Sequence, residues 1–324
     1  MRSVLESVEI LDLRHYASGS LRPLLNQECE LWAKTMSWDY QSSAEMILRY
    51  LDSKILPGYV ALENGKVVGY TFFVYEATKG VIGDLFVSVD DPKHEAEIRL
   101  RLLTHAIETL QQTPGIHRAE AQLLVHDSGV LTKPFLKQGF TAYPRVFMHL
   151  LLKSEGTVAD ATGRTPRLEG IEIRHWVEAD FHTAAGLITA CYLGHIDSQI
   201  NDQYRTAAGS LRFLNNIVRF PGCGSFDANA SYVAVNSSGE LIGLLLCSRV
   251  RADVGHVTQI CILPEYRGRR LGEKLMETCT TQLRSRNFTE LSLTVTEANT
   301  RAVELYHRLG FQTKRIFDAF VWEG

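Results

Sequence analysis

The chain has 324 residues, 45% of them hydrophobic and 22% charged, with a formal net charge of −3. This length usually holds two domains, and the composition excludes wholesale disorder, a collagen-like chain and a coiled-coil rod. No apolar run approaches the roughly 20 residues of a membrane span; the longest clean stretch, Leu241–Cys247, is broken by Gly243. The first residues carry Glu6, Glu9 and Asp12 where a secretory signal needs an apolar block, so a cytoplasmic protein without membrane contact is expected. Six cysteines are scattered without a CxxC pair, and the histidines show no HxH or HExxH spacing, so no metal site is expected. A pI near 6.4 provides no basic footprint for nucleic acid.

In chain order, a first block covers 1–152. The stretch 153–170, KSEGTVADATGRTPRLEG, has no apolar period and reads as a linker. A second block, 171–324, repeats features of the first. Tyr59-Val60-Ala61-Leu62, a polar turn and Val68-Gly69 parallel Tyr232-Val233-Ala234-Val235, a turn and Ile242-Gly243. Gln138-Gly139-Phe140 likewise parallels Leu309-Gly310-Phe311, and the openings Val8-Glu9-Ile10 and Ile171-Glu172-Ile173 match. A repeat of this length is duplication of a whole domain. The second block reads as strand 171–176, helices 179–192 and 203–219, a hairpin of 230–236 and 241–250, and strand 256–263. Helix 269–285, strand 290–296, helix 299–309 and strand 314–322 follow. Leu271, Leu275, Cys279 and Leu283, with Met276 beside them, mark the buried face of helix 269–285. Strands and helices in this order predict an α/β (α+β) fold, a sheet with helices packed on its faces.

Ile262-Leu263-Pro264-Glu265-Tyr266-Arg267-Gly268-Arg269-Arg270-Leu271-Gly272 joins a strand to that helix. A helix N-terminus presents unpaired N–H groups and the positive end of a dipole, which is a ready anion site. Gly268 permits close backbone approach, and three arginines raise the local potential. Taken alone, the same turn also reads as a sharp strand-to-helix connection with a solvated basic face.

Two motifs in sequence carry a resemblance. Arg267, Arg270 and Gly272, after the strand end Ile262-Leu263-Pro264, are similar to the pyrophosphate loop of the GNAT family of acetyl-CoA-dependent N-acyltransferases. Arg270 departs from the glycine usual at the middle position, which bears on coenzyme affinity. Asn299-x-x-Ala302-x-x-Leu305-Tyr306-x-x-x-Gly310-Phe311 resembles the family's second motif without departure. The resemblance implies two tandem GNAT-like domains, each a mixed, mostly antiparallel sheet flanked by helices. It implies acetyl-CoA as co-substrate, held by backbone N–H groups of Arg267, Gly268, Arg269, Arg270, Leu271 and Gly272 and by Asn299. A main-chain N–H near Ile262 would hold the oxyanion. Tyr306, a phenol protonated at neutral pH, would be the catalytic acid for the leaving thiolate.

The general base is not fixed by the motif. Thr258 falls at the family's Glu position and cannot serve, leaving His256, His195, Asp197, Asp202, Glu297 or a water chain. Segment 193–204 lies where the family's substrate-facing loop falls, and its two Asp favour a cationic acceptor. The expected function is acetyl transfer from acetyl-CoA to the primary amine of a small molecule. A peptide or protein N-terminus is the alternative acceptor, and a non-catalytic acyl-CoA-binding module is the rival of another class.

The first block departs from both motifs. Aligning Gly139-Phe140 on Gly310-Phe311 pairs Phe135 with Tyr306 and Ser128 with Asn299, and a Phe has no proton to donate. Its phosphate-loop counterpart, 87–95, lacks glycine and carries Asp90, Asp91 and Glu95, which repel a pyrophosphate. Pro134 confines any helix there to start near it. The expectation is a degenerate, non-catalytic domain over 1–152 and a catalytic domain over 171–324.

Overall fold

The computed structural model describes residues 8–152, 168–220 and 224–324. Most of the expected linker therefore lies outside the described residues. The elements in chain order are β1 (Val8–Asp12), α1 (Ser18–Met36), α2 (Gln41–Asp52), β2 (Gly58–Glu63), β3 (Lys66–Glu76), β4 (Lys79–Val87), α3 (Pro92–Gln112), β5 (Arg118–Gln122), α4 (Thr132–Lys137) and β6 (Thr141–Leu151). There follow β7 (Ile171–His175), α5 (Phe181–Tyr192), α6 (Asp197–Ile200), α7 (Ala207–Arg219), β8 (Ser225–Phe226), β9 (Tyr232–Asn236), β10 (Leu241–Arg251), β11 (Val254–Ile262), α8 (Leu271–Ser285), β12 (Glu290–Thr296), α9 (Thr300–Arg308) and β13 (Gln312–Glu323). Every strand expected in the second block forms within two residues of its expected ends. The helix expected over 203–219 begins only at Ala207, because Asp202–Arg205 coils into a separate 3-10 turn and the Thr206 side chain caps α7. No described helix is long and apolar enough to cross a membrane.

Two compact units result. The first runs to Arg145 and includes Ile316–Gly324; the second is Val146–Arg315. These limits differ from the expected blocks by an exchange of strands. The last strand of the chain, β13, pairs antiparallel with β5 in the first unit, and β6 lies beside β12 in the second. Burial accounts for this, since residues 317–321 and 146–148 are buried without alternation and so need a central place in a sheet.

In the first unit β1, β2, β3 and β4 are antiparallel and β4 pairs parallel with β5. The β2–β3 turn, Asn64-Gly65, has positive φ at both residues, the twist a two-residue hairpin requires. One face of the sheet packs on α3 through Ile98, Leu102, Ala106 and Leu110. The other packs on α1 and α2 through Leu21, Leu25, Leu48 and Leu51.

The second unit repeats the plan. Strands β7, β9, β10 and β11 are antiparallel, and β11 pairs parallel with β12. Leu275, Met276, Cys279 and Leu283 of α8 pack on one face, as the sequence spacing predicts, while α5 and α7 cover the other. The fold class read from the sequence is thus present in both units: mixed, mostly antiparallel sheets flanked by helices.

Candidate active site

The parallel ladder between β11 and β12 runs only from Val254–Glu290 to Val257–Leu293, although β11 continues to Ile262. Past that point one edge of β11 has lost its partner. Leu263 N donates to Ile242 O of β10 at 2.9 Å, and successive N–H groups of a strand point to opposite edges. The N–H and C=O of Ile262 therefore face the open side. Ile262 O confirms this direction by accepting a hydrogen bond from Arg267 Nε at 3.0 Å.

Beyond Ile262 the chain makes a short 3-10 turn, Pro264–Tyr266, and then the loop that opens α8. Gly268 has φ +81°, open to glycine without strain, and no atom lies closer than 3.8 Å to where a Cβ would stand. That nearest atom is Nη2 of Arg301, a residue of α9. At Gly272 a Cβ would meet Ile262 Cδ1 at 3.2 Å, a tight contact that Ile262 would have to relieve. No side chain caps the first turn of α8, in contrast to α9, where Asn299 Oδ1 accepts from Ala302 N at 3.4 Å. The N-terminal N–H groups of α8 are thus left to solvent or an anion.

The loop side chains are engaged elsewhere. Arg267 Nη2 donates to Cys191 O at 2.9 Å, so its guanidinium ties the last turn of α5 to the end of β11. Arg269 lies over the Tyr266 ring, 5.0 Å from its centroid. Arg270 adopts φ 61°, ψ 16°, the left-handed conformation a glycine takes freely, and turns its guanidinium onto Glu273. Leu271 is buried in a small apolar cluster with Ala234 and Ile242. The side chains expected to surround a phosphate are therefore held apart from the cradle, and its chemistry falls to the backbone.

Tyr306 is on α9, 6% exposed, with its ring tilted against Phe311. Burial, and then the charge of Asp197, push its phenol well above the ordinary value, so it stays protonated. Asp197 heads α6, and its Oδ1 accepts from Thr296 Oγ1 at the end of β12. Its Oδ2 lies 3.6 Å from His195 Nδ1, and the Asp197 backbone N–H donates to that same nitrogen at 3.2 Å. On its other side the ring meets Asn299, with Nε2 3.3 Å from Asn299 Nδ2. Tyr192 packs edge-on against His195 and stacks on Tyr204 at 4.3 Å.

Of the expected residues, Asn299, Tyr306, His195 and Asp197 come together at one place. His256 does not join them. It lies on the paired part of β11, stacked on Phe147, with Nδ1 beside Ser292 Oγ, and burial lowers its pKa to about 4. Glu297 is exposed, and Asp202 begins the 3-10 turn before α7. Thr258 is the extra residue of a β-bulge, opposite neither Leu246 nor Cys247, and its hydroxyl donates to Leu246 O. That bulge turns Gln259 toward Tyr204, whose hydroxyl donates to Gln259 Oε1 at 3.3 Å. Thr296, Tyr192, Tyr204 and Gln259 were not legible as site residues; the only signal was the position of segment 193–204.

The first unit has the same bulge. Asp84 opposes Phe72 as Gln259 opposes Leu246, and Val87 opposes Gly69 as Ile262 opposes Gly243. Its cleft is filled, however. His126 Nε2 donates to Leu85 O at 2.8 Å, bridging the strand ends. Asp318 accepts from Ser128 Oγ, Gly129 N and Thr132 Oγ1 ahead of α4, and Phe135 stacks on Phe320 at 3.9 Å. Asp91 caps α3, and Pro92 supplies no N–H there.

Comparison with known proteins agrees with this geometry. The sequence model of the acetyltransferase (GNAT) family matches residues 198–311. A curated relative from Bacillus subtilis (strain 168), a putative ribosomal protein bS18-alanine N-acetyltransferase, is 35% identical over 83 residues, which are 26% of this chain and 54% of the relative. The match thus spans about half the length of that relative. A GCN5-related N-acetyltransferase from Sphaerobacter thermophilus superposes with a TM-score of 0.66 at 16% identity, covering 98% of this chain and 96% of that one. A tandem GNAT protein from the clavulanic acid biosynthesis pathway gives 0.61 at 15% identity, with 98% of both chains covered. Likeness at such identities is a likeness of fold.

Proposed function

Given the family match over residues 198–311, we propose that the chain is a GNAT acetyltransferase that transfers an acetyl group from acetyl-CoA to a primary amine, with the second unit catalytic and the first not. The observation that carries this reading is the convergence of an uncapped helix N-terminus, an open strand edge and a buried phenol in one unit. In this reading the backbone N–H groups of residues 267–272 hold the coenzyme's pyrophosphate. Gly268 leaves room for it, and Arg301 adds a cation beside it. Asn299 contacts the coenzyme arm. Acetyl-CoA supplies the activated thioester.

The residues divide the work of acyl transfer. His195, held between Asp197 and Asn299, takes a proton from the attacking amine. The Ile262 N–H stabilises the charge that develops on the carbonyl oxygen as nitrogen bonds to carbon. When the carbon–sulfur bond breaks, Tyr306 gives its proton to the thiolate. Its raised pKa keeps that proton available throughout the neutral range.

A small-molecule amine is the proposed acceptor, with Asp197 favouring a cationic one. A peptide N-terminus is the second reading, favoured by the B. subtilis relative, whose printed name specifies an alanine of a ribosomal protein. The sealed cleft of the first unit supports the non-catalytic role proposed for it.

The test is Tyr306→Phe in the full chain, assayed by thiol release with acetyl-CoA against a panel of amines. Turnover is expected to fall by about ten- to a thousandfold, with acetyl-CoA affinity by calorimetry unchanged. Unchanged turnover removes Tyr306 from the mechanism.

A further inference from the structure

Gln259 is 4% exposed, and its Nε2 has no hydrogen-bond partner among the described residues. Burying an amide N–H without a partner is costly, so such a group calls for an explanation. The side chain is not loose. Its Oε1 accepts from Tyr204 OH, and Tyr204 is itself fixed between the stacked Tyr192 and the edge of Phe213. This orientation commits the oxygen to Tyr204 and leaves the buried amide nitrogen without an oxygen or nitrogen acceptor among the described residues. The sulfur of Cys261 beside it is at most a weak acceptor.

Its position matters as much as its lack of a partner. Gln259 stands on the part of β11 that has left β12, beside the bulge, on the face covered by α5 and segment 193–204. Tyr192 and Tyr204 connect it to His195, the proposed base. A donor fixed at that point is joined to His195 through two stacked tyrosines, and an acceptor atom on the molecule that brings the amine there would satisfy it.

We propose that Gln259 Nε2 reads a carbonyl oxygen of the acceptor, so that the substrate is a primary amine that also bears an amide or carboxylate, as in an amino-acid amide, rather than a plain alkylamine or polyamine. The proposal rests on the acetyltransferase reading and narrows its substrate class. A site built to donate to a substrate oxygen discriminates against the analogue that lacks it, because the donor is then left unpaired.

The test compares glycinamide with ethylamine, in the full chain and in Gln259→Met, by thiol release and by titration calorimetry in the presence of CoA. Glycinamide is expected to be preferred by tenfold or more in kcat/KM. Gln259→Met is expected to abolish that preference by lowering the glycinamide value while leaving ethylamine within about threefold. Tyr204→Phe, which frees the amide to rotate, should reduce the preference partially; it serves as the second variant if Gln259→Met lowers the melting temperature. Equal loss for both amines, or equal use of both by the native chain, overturns the proposal. Absence of thiol release with every amine contradicts the acetyltransferase reading instead. In that event calorimetry still decides the claim for Gln259: glycinamide binding lost in the Met variant supports it, and unchanged or absent binding overturns it.

Discussion

Arg270 shows how one residue satisfies a backbone requirement written for another. Its φ of 61° is a conformation that costs a non-glycine residue about 1–2 kcal/mol. The ion pair to Glu273 turns the long side chain along α8 and away from the loop, so the cradle keeps the shape a glycine gives it. Arg270→Gly in the full chain is therefore expected to change acetyl-CoA affinity by less than about threefold, measured by calorimetry. A tenfold loss would mean that the guanidinium reaches a phosphate. The departure from the family motif was legible in the sequence, but its consequence was not, because the direction of a side chain depends on a partner three residues on. Tyr306 and Asn299 were legible because their spacing belongs to a single helix start. His195 and Asp197 were open candidates only: what brings them to Tyr306 is the packing of segment 193–204 against the end of β12, a contact across nearly one hundred residues.

At the scale of elements, the packing of α1 and α2 on the first sheet depends on a buried polar group that no local pattern announces. Glu28 of α1 and Asp84 of β4 are both buried, and Tyr70 OH donates to Glu28 Oε2 at 2.6 Å and lies 3.0 Å from Asp84 Oδ2. Tyr40 OH donates to Asp84 Oδ2 at 2.7 Å, and Trp32 Nε1 to Glu28 Oε1 at 3.2 Å. Burial, and then the charge of Asp84, raise the pKa of Glu28 well above 4.5, so the carboxyl keeps its proton where the unfolded chain has lost it. Stability from this group is complete below about pH 4.5 and is lost as pH rises through the raised value. Glu28→Gln, which resembles the protonated carboxyl, should flatten the fall in denaturation midpoint as pH rises above about 4.5. Parallel curves for the two proteins would place the proton elsewhere. Helix α8 is the opposite case: Leu275, Cys279 and Leu283 repeat at helical spacing in sequence and all three are buried, because one stripe meets one sheet face.

Over the whole molecule, the duplication is legible because both halves keep the same hairpin and the same Gly-Phe after their last helix. The exchange of β6 and β13 was not, since a strand's burial can be read from its residues but its neighbour cannot. That exchange brings Asp318 and Phe320 into the first unit, where they fill the ground before α4 and beside Phe135. The two units thus share a bulge and a diverging strand pair but differ in what occupies the opening. In the first, Asp91 caps α3, Asp318 takes the donors ahead of α4 and Phe135 stacks on Phe320; in the second, no side chain among the described residues caps the start of α8. The most direct measurement of this difference is the movement of backbone amide resonances when acetyl-CoA is added to the full chain. The account requires the amides of Ile262 and of residues 268–273 to shift in proportion to one bound coenzyme per chain, while those of residues 91–96 stay still. Shifts at 91–96 of equal size, or none at 268–273, would contradict it.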